Sequence, residues 1–196
     1  MTYRSIILFA ILCMTVCASC SVKVVPSSTP TVAPPATPEP LRLINGVIDA
    51  CLLLTPEEVE TIVGYKVASE GVDAPGRTGC KYISVINKDD VVLQVYAATD
   101  TTIRGDRFSQ RLGVDTATED YELAKFGQLR FEKNTGLIKV EDIDNLGDQA
   151  YMSEGGTLDI HILNNDIYYE FHTIVIYNIG LDELIKLAQI ALQKMQ

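Results

Sequence analysis

Six of the eight prolines in this chain of 196 residues fall between Pro26 and Pro40, and that clustering decides how the rest can fold. Proline lacks a backbone donor and fixes its own φ, so Ser21 to Leu43 cannot enter a helix or a sheet ladder. The segment is rich in Ser and Thr, with Thr-Pro repeats and the pair Pro34-Pro35, a composition that favours an extended, polyproline-like tether. At about 3 Å per residue it can reach about 70 Å. Roughly 150 residues follow, enough for one hydrophobic core but not for two. The formal charge is −10, and removing residues 1–19 would leave 15 basic against 26 acidic residues. Such a surface repels phosphate backbones, so no nucleic-acid partner is expected. It repels anionic headgroups as well, so membrane contact should come from a covalent lipid.

Residues 1–19 have the three parts of a signal peptide: Arg4 near a charged terminus, an apolar stretch from Ile6 to Val16 broken only by Thr15, and the small pair Ala18-Ser19. The stretch is shorter than the about 20 residues that a bilayer requires. Cys17-Ala18-Ser19-Cys20 resembles a bacterial lipobox, in which small side chains precede a cysteine whose thiol receives diacylglycerol. Cys17 and Cys13 follow Val16 and Leu12 and lack that small neighbour. Cys17 itself stands where such motifs usually carry Leu or Val. The resemblance implies an acylated, palmitate-bearing Cys20 and a lipid-anchored protein on the extracytoplasmic face of a cell membrane. Three regions follow: signal peptide 1–19, lipidated cysteine and linker 20–43, and a globular domain 44–196.

Within the domain, Thr55-Pro56-Glu57-Glu58 predicts a helix start, with Thr55 as N-cap, proline in the first turn and an acid at the third helical position. Val59, Ile62 and Val63 form its apolar stripe, and Gly64 is the expected stop. Strands are expected at Gly79–Val85 and Val91–Ala98 around a turn at Asn87–Asp90, and helices at Thr102–Leu112 and Asp120–Phe131. Further strands are expected at Ile138–Ile143, Gln149–Ser153, Leu158–Leu163 and Ile167–Ile176. A last helix, capped by Asp182, should bury Leu184, Leu187, Ala188, Ala191 and Leu192. The order means an α+β fold, an antiparallel sheet covered by helices on one side. Cys51 and Cys80 are the domain's only cysteines, and an exported compartment oxidises, so a structural disulfide is expected. Neither has the CxxC-like or electropositive setting of a redox cysteine.

The run Cys51-Leu52-Leu53-Leu54-Thr55-Pro56-Glu57-Glu58-Val59, then Gly79-Cys80-Lys81-Tyr82, then Leu146-Gly147-Asp148-Gln149-Ala150-Tyr151, resembles small bacterial lipoproteins of unknown function. The similarity covers nearly the whole domain. It implies a PsbP-like α+β fold, paired cysteines and a non-catalytic envelope role. The departure is a longer, more charged middle, Thr101 to Asn134.

Chemistry is sparse. The only histidines are His161 and His172, no serine sits in a nucleophile elbow, and no phosphate loop or metal-protease spacing occurs. No enzymatic activity and no cofactor are expected. One hairpin stands out: with a turn at Asn165-Asp166, His161 faces Glu170 and Asp159 faces His172. These four are metal-ligand types on a rigid platform. The plainer reading is cross-strand pairing on a solvated sheet face. Tyr151, Tyr168, Tyr169, Phe171 and Tyr177 could line a pocket, but more often such residues fill a core that lacks Trp. The functional expectation is a non-enzymatic binding or accessory module contacting a protein, glycan or lipid; the alternative is a small-ligand carrier or sensor with a pocket between sheet and helices. A carrier should own an enclosed apolar cavity, an interaction module a filled core and an exposed apolar patch.

Overall fold

The computed structural model describes residues 43–88, 90–174 and 179–196. Residues 1–19, Cys20, most of the 20–43 linker and Tyr177 lie outside the described residues. The described residues form an α+β domain around one antiparallel sheet of seven strands. In chain order the elements are α1 (Pro56–Val63), β1 (Val67–Ala74), β2 (Arg77–Ser84), β3 (Val91–Ala98), α2 (Asp100–Gly105), α3 (Arg107–Leu112), α4 (Ala117–Thr135), β4 (Lys139–Asp142), β5 (Gln149–Glu154), β6 (Thr157–Asn164), β7 (Ile167–Ile174) and α5 (Leu181–Gln193). Two meanders, β1-β2-β3 and β4-β5-β6-β7, meet where β3 pairs with β7, giving the order β1-β2-β3-β7-β6-β5-β4.

Local signals explain much of this. Thr55 and Glu58 make the reciprocal capping box at the start of α1, and Gly64 ends it in the left-handed region at φ 82°. Asn165 and Asp166 both take positive φ, as a two-residue hairpin turn matching sheet twist demands. That turn fixes the expected register, Asp159 opposite His172 and His161 opposite Glu170. All five expected residues of α5 are buried.

Several expectations are corrected. Helices cover both faces of the sheet, not one. A 3-10 turn at Ala50–Leu52, α1 and α5 close the first face; α2 and α4 pack on the second. The stretch expected as one helix from Thr102 is two six-residue helices, because Asp106 leaves helical geometry to end α2 and cap α3 through Ser109. Helix α4 is longer than expected, 19 residues, begun by a Thr116–Glu119 capping box. Gly180, not Asp182, is the N-cap of α5, and Asp182 instead lies in the first turn, where an acid suits the helix dipole. Strand β1 was not expected at all. Its sequence, Val-Ala-Ser-Glu-Gly-Val-Asp-Ala, is polar because it is an edge strand, largely exposed and paired only with β2.

The main core lies on the first face, where Leu93, Val95, Ile160, Ile162, Tyr169 and Phe171 meet Leu54, Val59, Leu184 and Leu187. Cys51 and Cys80 are disulfide-bonded, 29 residues apart in sequence, which ties the 3-10 turn to β2. A link of that span stabilises by about 3.6 kcal/mol in the chain-entropy account. The Tyr82 hydroxyl donates to the Leu54 carbonyl at 2.7 Å, doubling the attachment.

Candidate functional site

Strand alternation sends Arg77, Tyr96, Tyr151, Asp159, His161, Tyr168, Glu170 and His172 to the second face. The registers align them in cross-strand rows. One row runs Gly79, Tyr96, Glu170, His161, Tyr151, Asp142 from β2 to β4, crossing β7 in its centre. Gly79 is glycine because the Tyr96 ring lies against it; an added Cβ would come within 2.7 Å of that ring. The neighbouring row carries Gln94, His172, Asp159 and Ser153.

This face is partly covered. Helix α4 is fastened along it at three levels: Asp120 to Arg77 at 3.0 Å, Lys125 to Asp142 at 2.7 Å, and Glu132 accepting from the Val140 amide at 3.1 Å. Tyr121 then inserts edge-on between Tyr151 and Tyr168. Together with Ala98, Ile103, Val114, Ala117 and Leu163 these rings make a second, smaller core. Tyr151, Tyr168, Tyr169 and Phe171 are all fully buried in the cores, the first two in this second core and the last two in the main one, and of the four only Tyr168 also borders a cleft.

At the edge of the second core sits a polar cluster. Arg77 bonds both Glu170 and Asp120 and lies 4.7 Å over the Tyr168 ring, joining β2, β7 and α4. His161 is 3% exposed, stacks on Tyr151 at 4.4 Å, and shares a 2.7 Å hydrogen bond between its Nδ1 and the Tyr168 hydroxyl. Its Nε2 is buried and has no partner among the described residues. Burial holds this imidazole below its ordinary range despite the nearby acids, so it is neutral near pH 7. His172 behaves oppositely. Its Nδ1 lies 2.6 Å from Asp159, and that hydrogen bond outweighs burial and raises its pKa. Asp159 also accepts from Thr157 at 3.2 Å and Ser153 at 3.4 Å.

The four candidate metal-ligand residues, for which no metal is expected, face each other as two separate cross-strand pairs. Asp159 is used by His172, and Glu170 by Arg77. Among the described residues no three His, Cys, Asp or Glu side chains are grouped to hold a metal ion. Arg77, which the sequence reading missed, is the residue that organises the cluster. It carries no local motif, and its partner Glu170 lies 93 positions away.

Two open clefts flank the Arg77–Glu170 pair. One, of about 380 Å³, lies between α4 and the sheet and is lined by Arg77, His161, Tyr168, Glu170, Gln128, Gly127, Ala124 and Leu123. The other, of about 250 Å³, lies towards Phe108, Leu112 and Tyr96. Around them α3 and α4 leave large apolar groups exposed, Phe108, Leu112, Leu123, Phe126, Leu129 and Phe131, with Phe126 63% exposed.

The Leu146–Tyr151 motif has a structural use. Asp148 accepts from the Asn165 amide at 2.7 Å, and Gly147, at φ 68°, lies so close to Ile162 and Leu163 that a Cβ would clash. It pins the start of β5 to the tip of the β6–β7 hairpin. Comparison with protein-family models, with curated proteins and with solved structures gave no match.

Proposed function

We propose that this protein is a lipid-anchored extracytoplasmic lipoprotein whose domain is a non-enzymatic interaction module, docking a protein partner on the outer face of α4. The observation that carries the docking reading is that Leu123, Phe126, Leu129 and Phe131 are all exposed along one 19-residue helix. A helix that keeps its apolar groups in water on that scale marks an interaction surface. A carrier would need an enclosed apolar cavity, whereas the clefts beside α4 are open and partly charged. The anchoring reading rests on Ala18-Ser19-Cys20 and the proline-rich tether. Its support is the Cys51–Cys80 disulfide, which suits an oxidising compartment. No helix among the described residues is long and apolar enough to cross a membrane.

The test uses the full chain in a bacterial host. The membrane fraction should contain it with an acyl mass on Cys20, and Cys20→Ala should abolish that mass and free the protein; a bare amino terminus would end the anchoring reading. Phe126→Glu combined with Leu129→Glu should remove protein crosslinks formed on intact cells without lowering the unfolding midpoint. Crosslinks that survive both changes would overturn the docking face.

A further inference from the structure

The cleft beneath α4 has features that the docking face does not explain. Its floor holds His161, a neutral imidazole with Nδ1 committed to Tyr168 and a buried Nε2 that has no partner among the described residues. An unmet polar atom inside a protein is destabilising, so a ligand that partners it gains from doing so. Its roof contains Gly127, in the middle of a 19-residue helix, where glycine is less favourable than alanine. Packing does not require that glycine, since an added Cβ would meet nothing within 4 Å. What the glycine preserves is open space.

We propose that this cleft binds a neutral, hydroxyl-rich small molecule of the sugar or polyol class. The lining selects for it. Anions have no free cation to meet, because Arg77 already carries two carboxylates, Glu170 and Asp120. Cations would have to settle beside that guanidinium. Wholly apolar ligands would strand His161, Glu170 and Gln128, which need hydrogen bonds. Hydroxyl groups both donate and accept, so they can serve the imidazole Nε2, the remaining lone pairs of Glu170 and the Gln128 amide at once. The carbon side of such a molecule fits against Ala124 and the bare backbone at Gly127. At about 380 Å³ the cleft lies within the range of small-molecule sites. This site does not rest on the anchoring or docking readings.

Because the chain has two histidines, imidazole nitrogen resonances report on the cleft directly. The full chain carrying Cys20→Ser would be titrated with glucose, N-acetylglucosamine and glycerol, and separately with phosphate and with ethanolamine. The expected result is a saturable shift of the His161 signals with at least one neutral probe and none with phosphate or ethanolamine. His172 should stay nearly still. Gly127→Leu, which fills the cleft with a better helix former, should weaken that shift about tenfold or more while the unfolding midpoint holds or rises. Gln128→Ala should weaken it by a smaller factor and serves if the leucine variant does not fold. Silence with every neutral probe, a response to phosphate or ethanolamine instead, or a sugar response that survives both variants would each overturn the proposal.

Discussion

The two faces of the sheet solve the same burial problem with different chemistry. The first face is aliphatic and aromatic, closed by α1 and by α5, whose buried residues repeat at helical spacing. The second is a lattice of Tyr, His, Arg and acid side chains under α4, a helix only weakly amphipathic by sequence. On the first face, apolar area removed from water does the work, and it is indifferent to orientation. On the second, α4 is placed by directional bonds, Asp120–Arg77, Lys125–Asp142 and Glu132–Val140. A face held by a few directional links can leave open clefts and an apolar outer surface. One held by packing cannot. The difference teaches where to look for function: on the side where stability is spread thinnest.

The sharpest way to break this contrast is truncation on each face. Phe171→Ala in the main core should cost about 3–5 kcal/mol in urea unfolding, whereas Tyr168→Phe, which removes only the hydroxyl facing His161, should cost about 1 kcal/mol. Equal losses would erase the distinction. Next in size is Arg77→Ala, expected to cost about 1–3 kcal/mol by leaving Glu170 and Asp120 without their cation. Adding Glu170→Gln and Asp120→Asn to an Arg77→Met change should lose less than Arg77→Ala alone, because no half-buried charge is then left unmatched. If the triple variant is the worse of the two, the cluster is held by more than charge balance.

Smaller, and opposite in sign, Gly127→Ala should raise stability by about 1 kcal/mol, since the added methyl has room and the helix gains propensity. A loss would mean that the cleft closes on something. The smallest effect is in the pH dependence. Hydrogen bonding to Asp159 raises the folded pKa of His172, so its contribution is complete below the ordinary histidine range and fades as pH rises through the raised value. Burial lowers that of His161, so its contribution is present above the ordinary range and is lost as pH falls. The two act in opposite directions. His172→Gln should therefore make the loss of unfolding midpoint on acidification from about pH 7 to about pH 5 steeper than in the parent. A parallel profile would show that the Asp159 pair is not coupled to folding.

How far the chain could be read without its structure depends on where each signal resides. The α1 start was legible because Thr55, Pro56 and Glu58 cap their own helix within one turn. The β6–β7 register was legible because Asn165-Asp166 forces a two-residue turn, and every cross-strand pair follows from it by counting. The pairing of Cys51 with Cys80 was legible because the domain has no other cysteine. Strand β1 was not, since an exposed edge strand needs no apolar alternation. Nor was the cover over the second face. Asp159, His161, Glu170 and His172 look outward in any pattern that equates polar with solvated, and only the docking of α4 buries His161.

The sequence by itself determined what is settled between near neighbours: the helix caps, the hairpin, the apolar face of α5 and the placement of Cys51 just before α1. Only the packed fold brings Arg77 to Glu170 and Asp120, leaves a buried nitrogen of His161 without a partner among the described residues, and turns Phe126 to water. The reason is physical. Caps, turns and periodic stripes act over a few residues, whereas charge pairing across 93 positions exists only after a sheet has brought β2 beside β3 and β7.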